Sequence, residues 1–254
     1  MTKRLPSAVL RSSLYKAYDR AFRKFNPASI DFFINEYSKS HPNVFFIQVG
    51  ANDGITWDPF HYFIRRDHWK GLVIEPQHAL FEQRLRQTYA DVPGITLLNT
   101  AVDVADGSRP LYRFGFSSSR WATGLASFDK QMLIANFNSD YVQENIKKEN
   151  LSVSSDPAEY LTVDVVPCTS FETIIRSLGR ETIDFVMTDV EGHDVAILNS
   201  FPFHRIQPAN VVFELPLRLD DSFIRLVNTL KAYDYDIFVA RRDAIAMRKD
   251  AGRV

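Results

Sequence analysis

A single cysteine, Cys168, is present among 254 residues. No internal disulfide is therefore available, and no cysteine-built metal cluster. Neither sign of charge is in excess: 30 Lys and Arg face 31 Asp and Glu, a formal net charge of -1. Nucleic acid is thus not expected as a partner, because no global positive field draws it. No hydrophobic run is long enough for a transmembrane segment. The basic N-terminus is not followed by the continuous apolar stretch of a secretory signal. A cytoplasmic location is the expectation from these absences. No internal repeat is evident.

What remains is an ordinary globular composition, 45% hydrophobic and 24% charged, long enough for one large α/β domain with a full core. Residues 1–40 differ from the rest and read as a helical extension. Leu10, Leu14, Ala17, Tyr18, Ala21, Phe22 and Phe25 recur at helical spacing with basic residues between them. After Pro27, Ser29 is placed to cap a second helix through Ile30, Phe33 and Tyr37. Cover for the edge of the sheet is the simpler role for both helices; contact with a membrane surface or an anionic carrier is the alternative.

From residue 44 apolar runs alternate with helical patterns. Strands are expected at 44–49, 72–75, 95–101, 111–116, 161–166, 183–188 and 211–215. Helices are expected near 60–66 and over 79–89, 170–178 and 222–232, with another through Val195, Ile197 and Leu198. Such alternation implies parallel strands covered on both faces. Residues 117–160 break the rhythm and read as an insertion, part helix and part loop, on the ligand side. The run 235–240, the turn Arg241-Arg242-Asp243 and the run 244–247 make a closing hairpin.

Two features point to a nucleoside site. The run 44–49 ends in Gly50-Ala51-Asn52-Asp53-Gly54, where glycines let backbone turn sharply. The next run ends in Glu75-Pro76, an acid placed to hold ribose hydroxyls. A nicotinamide-dependent oxidoreductase fits these two, but not the hairpin ending. A non-catalytic nucleoside-binding module of the same fold is a further alternative.

Taken in order, Val49–Gly54, Glu75-Pro76, Asn99-Thr100-Ala101-Val102 and Asp189-Val190-Glu191-Gly192 resemble the FkbM family of S-adenosylmethionine-dependent methyltransferases, over roughly residues 44–215. The resemblance implies a Rossmann-like class I fold: a mostly parallel seven-stranded sheet with a C-terminal antiparallel hairpin. It implies methyl transfer to a hydroxyl of a sugar, glycan or secondary metabolite. By position, Gly50, Ala51, Asn52 and Gly54 would line the methionine part of the cofactor. Glu75, with Pro76 beside it, would bind the ribose, and Asn99 and Ala101 would border the adenine. Asp189 and Glu191 would face the reacting centre. One departure is Gln48, where the family commonly has an acid; Gln offers the cofactor's ammonium a neutral carbonyl. Asp53 and Asp58, on either side of Trp57, are candidates to replace that charge, although Asp58-Pro59 also fits a helix start.

A sugar hydroxyl gains from a base as its bond to carbon forms. The candidates are Asp189, Glu191, His193 and Glu214, with Asp189 and Glu191 ahead of His193 because a histidine at a helix start is often idle. Ser118, Arg120, Trp121 and Thr123 have sugar-binding character, and Glu214 is expected on the same acceptor side. Asp189, Glu191 and Glu214 together suit Mg²⁺ by chemistry, but no spacing compels a metal, and none is expected.

Overall fold

A computed structural model describes residues 29–216, 219–240 and 242–249. The helix expected over residues 10–25 lies outside them. The Ser29 side chain accepts the Phe32 N–H at 3.2 Å and opens α1 (Ile30–Ser40), as its position before an apolar periodicity predicts. Then come β1 (Phe45–Val49), α2 (His61–Asp67) and β2 (Lys70–Ile74). Helix α3 covers 78–89: α-helical at His78–Leu80 and Arg86–Tyr89, with a π turn at Phe81–Leu85 between. The strands β3 (Ile95–Leu98), β4 (Ala101–Asp103) and β5 (Gly107–Phe114) follow. Four helices follow within residues 117–160: α4 (Arg120–Thr123), α5 (Lys130–Phe137), α6 (Asp140–Lys148) and α7 (Pro157–Tyr160). The chain continues through β6 (Leu161–Ser170), α8 (Phe171–Leu178), β7 (Phe185–Thr188), α9 (Asp194–Asn199) and β8 (Asn210–Glu214). It finishes with α10 (Asp221–Ala232), β9 (Tyr235–Ala240) and β10 (Asp243–Arg248).

Seven strands form the main sheet in the order β3-β2-β1-β7-β8-β10-β9. Only β10 is reversed, antiparallel to both of its neighbours. The chain runs outward from β1 to β3 and resumes on the far side of β1 with β7. Strand order therefore switches between β1 and β7, and in an open α/β sheet the crevice outside the strand C-termini at that switch is where ligands bind.

Both faces are covered, which is why the strands read as unbroken apolar runs. Ile47, Val49, Leu72, Ile74, Val186, Val211 and Phe213 face α8, α9 and α10. Their strand neighbours Phe46, Val73, Phe185, Met187 and Val212 face α1, α2 and α3. Trp69 anchors this second face, with ring centroids 5.3–5.5 Å from those of Phe60, Phe63 and Phe185 and its indole N–H on Ser38 Oγ at 3.0 Å. Helix α1 covers the middle of the sheet and not its edge: Tyr37 stands edge-on to Phe185 of the central strand β7 at 4.8 Å and donates to Asp184 at 2.8 Å.

The structure departs from expectation between residues 95 and 101. That run is not one strand: β3 stays in the main sheet and β4 leaves for a second sheet, β4-β6-β5. These helices and the end of β5 share a small core of their own, in which Phe137 stacks on Tyr160 at 4.0 Å beside Phe114, Ala122, Leu133 and Val142.

Candidate functional site

The loop after β1 is built around its backbone. Gly50 and Ala51 donate to the Ile74 carbonyl at 3.0 and 3.1 Å, tying the β1 tip to the β2 tip. Gly50 has φ +82°, and a Cβ there would lie 2.0 Å from the Asp189 carbonyl oxygen. It is glycine because the tips of β1 and β7 meet there. Gly54, at φ +67°, is crowded instead by Tyr89 and Leu85 of α3. It shapes the loop from below and does not line the cleft.

Glu75, 2% exposed, is the most heavily bonded acid of the site. Its Oε2 accepts the Asn52 N–H at 2.8 Å, and Oε1 accepts the Gln77 N–H at 2.9 Å and the Gln77 amide at 3.2 Å. Burial raises its pKa, against the lowering effect of those bonds and of the Arg120 charge.

Glu75 and Asp189 line one cleft over the β1–β7 switch, with about 590 Å³ of empty space that includes the open solvent at its mouth. Gly50, Asn52 and Pro76 join them, with Ala101, Val102 and Leu111 as an apolar wall. Helix α4 crosses above. Its Thr123 hydroxyl lies 3.3 Å from the Asn52 side chain, its Thr123 carbonyl accepts the Gln77 amide at 2.9 Å, and Arg120 Nε donates to the Thr56 carbonyl at 3.3 Å. Arg120 and Thr123 thus line the cleft.

Glu191 and His193 line its far end. Glu191 has φ +49°, so the turn after β7 is tight. Burial, then the charges of Asp189, Glu214 and Asp194, push its pKa up to about 8. Asp189 faces the cleft opening, yet crowding by the surrounding protein raises its carboxyl too, against the charges of Arg120 and Arg242. Asp194 rises to about 7, from burial first. Among the described residues no group of three or more His, Cys, Asp or Glu is placed to hold a metal ion. No helix of the described residues is long and apolar enough to cross a membrane.

Several expected site residues lie elsewhere. Gln48 points with Phe46 to the α2–α3 side of β1, where its amide reaches Asp58 and its Oε1 is buried without a partner. Asp58 is a helix-start residue: it accepts the N–H groups of Phe60 and His61 at 2.8 and 3.1 Å, and burial lifts its pKa to about 6. Asp53 closes a local turn through the N–H groups of Ile55 and Thr56 at 2.9 and 2.8 Å. Ala51 is core. Asn99 clamps the β2 tip by donating to the Glu75 carbonyl at 2.8 Å, and with Ser118 it lines a neighbouring groove. Trp121 turns to α6, its indole donating to Glu149 at 2.8 Å. Glu214 pairs with Arg242 at 2.6 Å beside the acid cluster, outside the cleft lining. Sequence reasoning missed Gln77, whose only signal was its place after Glu75-Pro76. It also missed Asp103, whose Oδ1 lies 2.8 Å from His193 Nε2.

Among solved structures the chain is similar to methyltransferase FkbM from Methylobacillus flagellatus KT, at 12% identity and TM-score 0.43, covering 81% of this chain and 43% of that one. It is also similar to a precorrin-6y C5,15-methyltransferase from Geobacter metallireducens GS-15, at 9% identity and TM-score 0.40, covering 91% and 95%. An SAH-bound methyltransferase from Podospora anserina matches at 8% identity and TM-score 0.41, covering 98% and 100%. No curated protein matches the chain. The methyltransferase FkbM domain matches residues 48–237, from within β1 to within β9. The chain belongs to the FkbM family of methyltransferases, whose methyl donor is S-adenosylmethionine.

Proposed function

We propose that the chain is an O-methyltransferase whose acceptor is a hydroxyl of a sugar, glycan or other small molecule. The observation that carries the reading is the shared cleft of Glu75 and Asp189 at the switch point of the sheet. The donor set fits the cofactor. Glu75 is an acceptor-only carboxylate held in place by Asn52 and Gln77, and it suits the two ribose hydroxyls. Ala101, Val102 and Leu111 give an apolar wall for the base. Gly50 and Asn52 line the methionine end, and Asp189 and Glu191 supply negative charge for the ammonium and sulfonium. Arg120 and Thr123 hold α4 over the cleft and limit the access of water.

The bound donor supplies an activated methyl group. The protein's own task is then alignment of the acceptor oxygen and removal of its proton. The test is calorimetric titration with S-adenosylhomocysteine and with NAD. Only the former is expected to bind; binding of NAD alone would reject the reading. Binding of S-adenosylhomocysteine with no transfer of labelled methyl to any member of a panel of sugars and small alcohols would favour a non-catalytic module.

A further inference from the structure

We propose that His193 takes the acceptor's proton and that Asp103 positions it, where the donor cleft meets a second groove that admits the acceptor. The proposal rests on the methyltransferase reading and names the base within it.

The second groove is open, with about 780 Å³ of empty space that includes solvent at its mouth, and is lined by Arg109, Tyr112, Lys130 and Met132. It shares Ser127, Phe128, Glu191 and His193 with the donor cleft. An acceptor lying in the groove therefore meets the donor beside His193.

The imidazole is held on several sides. Its Nε2 lies 2.8 Å from Asp103 Oδ1, and its ring stands edge-on to Phe128 at 5.3 Å. Asp103 is 4% exposed. Its Oδ2 accepts from Arg109 at 2.8 Å, and its Oδ1 accepts the Val104 N–H at 2.8 Å. Burial works against the charge of Asp103, but the bonds from Arg109, His193 and Val104 prevail and lower its pKa. The same Arg109 guanidinium lies over the Phe128 ring at 4.2 Å, so ion pair, ring and imidazole brace one another.

An ionised Asp103 only accepts, so Nε2 carries the hydrogen and Nδ1 keeps the lone pair. Nδ1 has no partner among the described residues, and the side chain is 20% exposed. As the acceptor oxygen bonds the methyl carbon, its proton moves to Nδ1. The carbon–sulfur bond breaks with its electron pair left on sulfur. Asp103 stabilises the imidazolium until water takes the proton. Asp189 and Glu191 then serve the positive charges of the donor.

The geometry sets a distance. Base-to-oxygen and oxygen-to-carbon approaches of about 3 Å each put the methyl carbon about 5–6 Å from Nδ1. The test uses ¹³C-methyl S-adenosylmethionine bound to the protein with ¹⁵N-labelled histidine. A nuclear Overhauser effect is expected between the methyl and the His193 proton that lies between the ring nitrogens, assigned by its loss in His193→Gln. The ¹⁵N shifts should report the Nε2–H tautomer, lost in Asp103→Asn, with affinity for S-adenosylhomocysteine changed less than about threefold. If Asp103→Asn does not fold, the wild-type tautomer and the Overhauser effect decide alone. Bound donor with no such effect, or an Nδ1–H tautomer in the wild type, overturns the assignment and leaves the donor site standing. No binding of the donor removes both.

Discussion

At the β2 tip Glu75 accepts from the N–H groups of Asn52 and Gln77 and from the Gln77 amide. At the β7 tip the side-chain carboxylates of Asp189 and Glu191 accept no hydrogen bond from any described residue, and Glu191, whose backbone carbonyl accepts the Ser127 hydroxyl at 3.0 Å, is crowded by Asp189, Glu214 and Asp194. Both groups line the same cleft. One carboxylate has its partners built in. The other two are short of positive charge, with Arg120 as the cation common to both. Glu191 is half-buried, and burying a carboxylate without partners costs several kcal/mol, which the protein avoids by favouring the protonated form of Glu191. The contrast assigns the β2 side to neutral hydroxyls and the β7 side to a cation that arrives with the ligand.

The strongest test of this division is Glu75→Ala. It removes the acceptor for the ribose and leaves the Asn52 and Gln77 N–H groups without their partner. The expected loss is about 3 kcal/mol, roughly 100-fold, in affinity for both S-adenosylmethionine and S-adenosylhomocysteine by calorimetry. Loss for one ligand only would break the comparison.

The β7 side should show itself in pH dependence. Glu191 is raised from 4.5 to about 8, so folding favours its protonated form. Its contribution to stability is full below about pH 4.5 and is lost as pH rises through about 8. Thermal unfolding midpoints should fall between pH 6 and 9, and Glu191→Gln should flatten that fall. A cationic donor favours ionised Glu191. Affinity for S-adenosylmethionine should therefore rise over pH 7–9, on the order of tenfold more than affinity for S-adenosylhomocysteine, which lacks the sulfonium. Equal pH slopes for the two ligands would remove the cation from the β7 side.

The smallest effect is expected at Trp121. Its indole bonds an exposed Glu149 on the far side of α4. Trp121→Phe should change stability by under about 1 kcal/mol and S-adenosylhomocysteine affinity by less than about twofold. A large loss of affinity would place α4 differently over the cleft.

The strand tips were legible because a parallel strand buried on both faces leaves a local mark, an apolar run that stops at Gly50, Glu75 or Asp189. The break between β3 and β4 leaves no such mark. The run 95–101 divides because Ala101 pairs with Cys168 in another sheet, a contact set by chain far along the sequence. Gly54 was recognisable as a turn, but the crowding that requires it comes from Tyr89 and Leu85. Trp121 and Gln48 show the same limit, since residue type does not disclose which side of an element faces the ligand. Asp103 and His193 stand 90 positions apart, and no period links them.

The reversed strand has a consequence for how the molecule is made. Strand β10 lies between β8 and β9, although both precede it in sequence. On the ribosome β8 and β9 emerge first, and neither can take its place beside the other, because the space between them belongs to residues not yet translated. Until 243–248 have left the exit tunnel, β8 presents an apolar edge with unpaired backbone groups, the kind of surface on which nascent chains stick to one another. Completion of this side of the sheet thereby waits for the strand that comes after both of its neighbours.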